Sequence, residues 1–195
     1  MKFKALLLLL SLFSIGLLIG QPVDYAIEGK NTMTIKGTSN MHDWESSVEK
    51  VNGDVAIAFS EDGWMNIQRL TVWMDVKSLK GSKGSKMDKL TRKALKADAY
   101  PRITYSLEKI NSIEKTGDGF MINAMGNLII AGTPKIIDLE VKCKLLPNGA
   151  ILFESTKALK MTDFNVEPPT ALLGVLKTRN EVLISFSITV SKIRL

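Results

Sequence analysis

Between Ile137 and Leu145 every second residue is apolar: Ile137, Leu139, Val141, Cys143 and Leu145 alternate with Asp138, Glu140, Lys142 and Lys144. A period of two sends the first set to one face of a strand and the second to the other, one dry and one wet. Val182, Ile184, Phe186, Ile188 and Val190 repeat the pattern against Glu181, Ser185, Ser187, Thr189 and Ser191. Weaker versions run through 51–59, 70–76, 103–107, 120–130 and 151–159. Between them, Asp62-Gly63, Gly117-Asp118-Gly119 and Asn148-Gly149 supply residues that tolerate positive φ, where hairpins reverse. Short strands joined by tight turns build antiparallel sheets. Roughly eight of them in one domain leave two architectures, a closed barrel or a two-sheet sandwich.

Two internal stretches break the alternation. After a Gly/Ser/Lys-rich linker from Lys80 to Gly84, Ser85-Lys86-Met87-Asp88 reads as a helix-start cap, and Met87, Leu90, Ala94 and Leu95 follow at helical spacing. The reading is a short amphipathic helix, ended by Asp98 to Pro101, with its apolar stripe on a barrel rim or sheet face. Its amphipathicity reads as too weak to prefer a helix lying on a membrane. The second stretch, 163–178, carries Pro168-Pro169 and then Ala171, Leu172, Leu173, Val175 and Leu176 around Gly174. Consecutive prolines cannot sit in a central strand, so this is an apolar loop with room for one helical turn, covering something.

The first twenty residues read as an address. Lys2 and Lys4 precede an apolar run from Ala5 to Ile19, shorter than the ~20 residues a bilayer-spanning helix needs and of signal-peptide length. The expected organisation is a signal peptide over 1–20 and one domain over 21–195, periplasmic or secreted. Removal of that segment lowers the formal charge from +6 to +4. The remaining Lys and Arg read as spread along the chain instead of forming an aromatic-interleaved stripe for nucleic acid. One Cys, Cys143, closes no internal disulfide, and one His, His42, supplies no poly-histidine metal cage.

Chemistry-bearing residues are few. Gly37-Thr38-Ser39 followed by His42-Asp43-Trp44 is the densest group. A hydrolase reading needs an activated oxygen and a donor pair for the developing charge, and nothing here supplies both. Local hydrogen bonds by His42 or Asp43 that tie a turn, with Trp44 burying its indole at a barrel end, are the plainer reading. Cys143 lies in an apolar row and reads as buried and inert. No catalytic residue, metal site or cofactor is expected.

Several segments together resemble one family. Gly37 to Trp44 looks like an early small-His-polar motif. Met87-Asp88 through Ala94 to Tyr105 resembles a helix followed by a Tyr-Pro-x-Ile-x-aromatic strand start. Gly126-Asn127-Leu128-Ile129-Ile130-Ala131-Gly132-Thr133-Pro134-Lys135 is similar to a Gly-x-Leu-x-Ile-x-Gly-x-x-Lys hairpin, and Met161-Thr162-Asp163-Phe164 to an Asp-Phe element. The family is the YceI-like group of bacterial exported, lipocalin-like proteins, and the resemblance runs from about Tyr25 to Ile188. The Asn165 to Pro169 continuation and the Asp-Trp after His42 depart from it.

The resemblance implies an all-β, eight-stranded antiparallel lipocalin-like barrel with a short helix at its opening, holding an isoprenoid lipid such as a quinone tail. The expected contact set is His42, Asp43, Trp44, Phe59, Trp73, Ala124, Gly126, Leu128, Phe153, Phe164 and Leu172. Small Ala124 and Gly126 between bulky neighbours on one face would make room for the tail. The expected function is non-catalytic sequestration or transport in the cell envelope, with an isoprenoid lipid or quinone as partner, transient membrane contact and no nucleic acid. The alternatives are a hydrolase-like enzyme using His42 and Asp43, or a ligand-free β structural or stress-response module.

Overall fold

The computed structural model describes residues 20–29, 31–82, 84–171 and 173–193. The expected leader, Gly20 apart, and Leu172 lie outside them. Twelve strand segments form one sheet: β1 (Val23–Ile27), β2 (Thr32–Ser39), β3 (Asp43–Val48), β4 (Val51–Phe59), β5 (Met65–Asp75), β6 (Leu79–Gly81), β7 (Arg102–Lys115), β8 (Gly119–Ile130), β9 (Thr133–Leu145), β10 (Ile151–Lys160), β11 (Thr170–Ala171) and β12 (Leu176–Lys192). One helix, α1 (Ser85–Ala94), and two 3-10 turns complete the described structure.

The sheet closes on itself because β1 pairs on both edges, Tyr25 standing opposite Val55 of β4 and Lys192 of β12. The eight staves run β1-β4-β5-β7-β8-β9-β10-β12, all antiparallel. Of the two architectures that alternation and turn chemistry leave open this is the closed one, the lipocalin-like barrel that the family resemblance implies, and closure removes the edges an open sheet would expose. The long β12 also carries β2 along its first half, from Thr178 opposite Ser39 to Ser187 opposite Thr32. The β2–β3 hairpin extends from there, and β6 pairs with β3. The β9–β10 ladder is short, from Ile151 opposite Leu145 to Glu154 opposite Lys142. Above it the 3-10 turn Met161–Phe164 packs against both strands.

Several strands are longer than the alternation shows. β7 runs to Lys115, but its register against β8 shifts between Leu107 and Lys109 and again between Ile110 and Ser112. Each bulge inserts a residue and breaks the period of two, which hides the second half of the strand from a pattern reading. Within the linker, Leu79–Gly81 is strand β6, with Leu79 buried opposite Val48.

Helix α1 begins without the expected side-chain cap. Gly84 occupies the cap position, and Asp88 Oδ1 instead accepts the backbone N–H of Gly81 at 2.7 Å, fastening the first turn to β6. It stops before Asp98: Lys96 takes a left-handed conformation (φ 53°), and the Ala97 N–H donates to the Arg92 carbonyl. The apolar loop holds the 3-10 turn and the short β11, whose Thr170 pairs with Lys177.

The end of the barrel away from α1 is filled. Tyr25, Ile57, Met65, Phe120, Cys143 and Ile151 are buried there as one layer, and Trp64 leans on Phe120 with ring centroids 6.3 Å apart.

Candidate functional site

Above that layer the interior is hollow. Inward residues of β8, from Phe120 through Ile122, Ala124 and Leu128 to Ile130, are fully buried. On β5 (Leu70, Val72, Met74), β9 (Ile137, Leu139, Val141) and β12 (Val182, Ile184, Phe186) the inward residues are only half-buried. Side chains on the inner face of a closed barrel meet no bulk solvent through the wall, so this residual exposure is to a cavity. The cavity measures about 240 Å³, and apolar side chains dominate its wall.

The wall is built by the period of two. Alternate residues of each stave point inward, and the sequence makes those positions Ile, Leu, Val, Met and Phe. Across the α1 end the roof is Met87, Thr91, Ala94 and Leu95 from the helix, with Met161, Phe164 and Val166 from the 3-10 turn and the residues after it. Helical spacing places the first three of these on one face of α1. Lys157 and Lys160 of β10 also contribute to the wall, where four-carbon stems can lie on apolar surface with the amines outside.

Polar groups inside are sparse. Ser46, 2% exposed, is the one buried polar residue among those described, and it lines the cavity between Trp44 and Val48 on the inward row of β3. Its hydroxyl has no hydrogen-bond partner among the described residues. Tyr105 also faces the cavity; burial first, and then the Asp138 carboxylate, push its phenol up to about 12. Below the cavity floor, burial alone pushes the Cys143 thiol up to about 12, the state of an unreactive sulfur.

Of the expected contact set, Trp44, Ala124, Leu128, Phe153 and Phe164 line the cavity. Five residues do not. Trp73 sits between Val72 and Met74, both inward, so it faces outward, with the Arg102 guanidinium 6.0 Å from its ring centre. Phe59 packs against the core near the filled end. Gly126 does face inward, but its space is taken: a Cβ there would collide with the Tyr105 ring. The missing side chain accommodates the protein's own tyrosine.

His42 and Asp43 are exposed on the β2–β3 turn at the rim. That turn is tied by Ser39, whose Oγ accepts the Met41 and His42 N–H groups at 3.2 and 3.1 Å and donates to the His42 carbonyl at 2.8 Å. The expectation that His42 or Asp43 fastens the turn is therefore corrected. Trp44 does turn its indole inward, with Nε1 donating to the Thr38 carbonyl at 3.3 Å. Among the described residues no group of three or more His, Cys, Asp or Glu is placed to hold a metal.

Sequence reasoning missed Ser46 and, in the roof, Thr91, Met161 and Val166. Trp44, Ser46 and Val48 fall at a period of two, a signal that could have found the serine.

Solved structures share this architecture. BcnA of Burkholderia cenocepacia superposes with a TM-score of 0.62 at 21% identity, over 85% of this chain and 99% of that one. A polyisoprenoid binding domain from Saccharophagus degradans, implicated in plant cell wall breakdown, gives 0.67 at 13% identity over 88% and 99%. The Campylobacter jejuni YCEI protein gives 0.56 at 17% identity over 99% and 100%. Among curated proteins none matches the chain. The family model of the YceI-like domain matches residues 24–190, nearly the whole barrel, and the chain belongs to that family.

Proposed function

We propose that the protein is a non-catalytic carrier that holds an isoprenoid lipid, such as the tail of a quinone, inside its barrel. The observation that carries this reading is the hollow, apolar interior closed at one end by the Tyr25–Phe120–Ile151 layer and roofed at the other by α1. The relative from Saccharophagus degradans, a polyisoprenoid binding domain of the same fold, supports the choice of ligand class.

A hydrocarbon chain needs no polar partner to bind in such a space. Each buried CH₂ contributes ~0.8 kcal/mol, so a five-carbon isoprene unit gains a few kcal/mol before the entropy of immobilisation is subtracted. Methyl branches fill width as well as length, which suits a bore walled by Ile, Leu and Val. Selectivity then rests on cavity length and on the few polar side chains of the wall, Ser46 and Tyr105 with Lys157 and Lys160. His42 and Asp43, standing exposed without a buried oxygen nucleophile beside them, give a hydrolase no assembled site. The apolar leader supports placing the carrier in the cell envelope, periplasmic or secreted.

The test is uptake. Delipidated protein titrated with a long-chain prenylated quinone should quench Trp44, which lines the cavity, and the quench should vanish in Trp44→Phe while the quinone still co-elutes with the variant. A quench unchanged in that variant, or no co-elution with the unmodified protein, overturns the reading.

A further inference from the structure

The rim around the cavity roof combines features that the carrier reading leaves unexplained. Residues 77–102 hold nine Lys or Arg against two Asp, a surplus of seven in a chain whose formal charge is +6. The cations are therefore concentrated in the segment that roofs the cavity, which corrects the impression of an even spread. Both acids of the segment are engaged: Asp88 accepts the Gly81 N–H, and Asp98 pairs with Lys77 at 3.2 Å. Lys86, Lys89 and Lys93 lie along the exposed face of α1, opposite Met87 and Ala94, and make no salt bridge among the described residues.

Exposed apolar side chains stand on two loop tips whose flanking residues Trp44, Pro169 and Thr178 line the same cavity as Met87 of the helix. Leu173 is fully exposed and holds a left-handed conformation (φ 55°) at the tip of the β11–β12 hairpin. That conformation suits Gly or Asn, and an exposed tip suits a polar residue, so neither backbone nor packing explains a leucine. Val175 (64% exposed) stands in the same loop, and Met41 (60% exposed) at the neighbouring β2–β3 turn. Asn40 locks the two tips together: its Nδ2 donates to the Val175 carbonyl, and its Oδ1 accepts the Lys177 N–H, both at 2.8 Å. The acids of the flanking segments are Asp43 and Glu45 on β3, Asp163 in the 3-10 turn, Glu167 before β11 and Glu181 on β12, and Glu45 is paired with Lys36 at 3.4 Å.

We propose that this end of the barrel docks on an anionic lipid bilayer. Leu173, Val175 and Met41 enter the boundary between head groups and acyl chains, and Lys86, Lys89 and Lys93 face lipid phosphates. Basic residues close to anionic lipid and a few inserted apolar side chains are the two signals that together hold a protein at a membrane surface. The geometry brings the roofed mouth of the cavity against the lipid, so that a chain could pass between bilayer and barrel without crossing water. This goes beyond the carrier reading, since it concerns where the protein sits and is read without any carried ligand.

The experiment is vesicle co-sedimentation of the chain from Gly20 onward, which holds every described element and omits the apolar leader that would itself bind lipid. Vesicles of phosphatidylcholine with one quarter phosphatidylglycerol should retain the protein, and vesicles of phosphatidylcholine alone should retain much less. The triple change Lys86→Glu, Lys89→Glu, Lys93→Glu should lower partitioning at least about tenfold. Leu173→Asp, on an exposed loop where folding is unaffected, should lower it by about fivefold or more, whereas Leu145→Asp at the filled end should leave it unchanged. Equal retention on both vesicle types, or retention unaffected by Leu173→Asp in protein of native circular dichroism, overturns the proposal.

Discussion

Gly37 and Trp44 stand opposite each other on β2 and β3, and the indole lies so close over the glycine that a Cβ there would come within 2.6 Å of Cε2. The absence of a side chain at one position thus sets the place of an aromatic wall at the other. Gly37→Ala should push the indole out of the wall, destabilising the barrel by about 1–3 kcal/mol as overpacking does in a filled core. Urea unfolding reads the cost, and a shift in tryptophan emission reads the displacement.

Ala124 is the small residue that leaves room inside the barrel. Ala124→Phe should abolish uptake of a prenylated quinone while costing less than the ~1–3 kcal/mol that overpacking imposes where no space exists. The outward-facing Trp73 supplies the contrast, since Trp73→Ala should leave uptake intact. Thermal unfolding alongside quinone co-elution checks both.

The comparison of Ala124 with Gly126 shows where a sequence stops being readable. Both are small and both were legible as inward, because β8 alternates without interruption. Which neighbour fills the gap depends on a side chain from β7, and β7 carries two bulges that no periodicity reveals. Trp73 teaches the converse: its inward neighbours Val72 and Met74 already assign it to the outer face, yet an aromatic ring invites a binding role. His42 and Asp43 sit on a turn, where polar side chains meet solvent, so their chemistry misled where their position did not. Alternating strands and tight turns made the all-β class legible but left barrel and sandwich both open, because closure depends on β1 pairing with both β4 and β12, which no periodicity shows. The roof was legible in part: the apolar stripe of α1 was plain, but its partners from the 3-10 turn come from sixty or more residues away.

Ser46, the one buried polar residue among those described, places a hydroxyl in a mostly apolar wall that also includes Tyr105, Thr91 and Thr178. Ser46→Ala should change stability by less than about 1 kcal/mol, because no protein partner is orphaned by the loss. It should weaken binding of a chain that carries an oxygen at that depth and leave a plain hydrocarbon chain unaffected. Paired titrations with a polyprenol and its reduced hydrocarbon check this.

Tyr105 and Cys143 tie stability to alkaline pH. Both are neutral when protonated, and burial pushes each up to about 12, from ordinary values of 10.0 and 9.0. The stabilisation is fully present below pH 9. Between roughly pH 9 and 12 the unfolded chain has released these protons and the folded one has not, so stability falls as pH rises. Urea midpoints should decline across this range, and Tyr105→Phe should flatten the decline above pH 10. Cys143 should resist alkylation at pH 8 until the protein is unfolded.

The carrier reading is tested most directly by what the protein holds when it is taken from the cells that made it. Mass spectrometry of an organic extract from protein produced in its native cells and purified without detergent should yield an isoprenoid lipid in near-stoichiometric amount, and Ala124→Phe protein prepared the same way should yield none. Protein that is reproducibly empty and that also fails to take up long-chain quinones would contradict it.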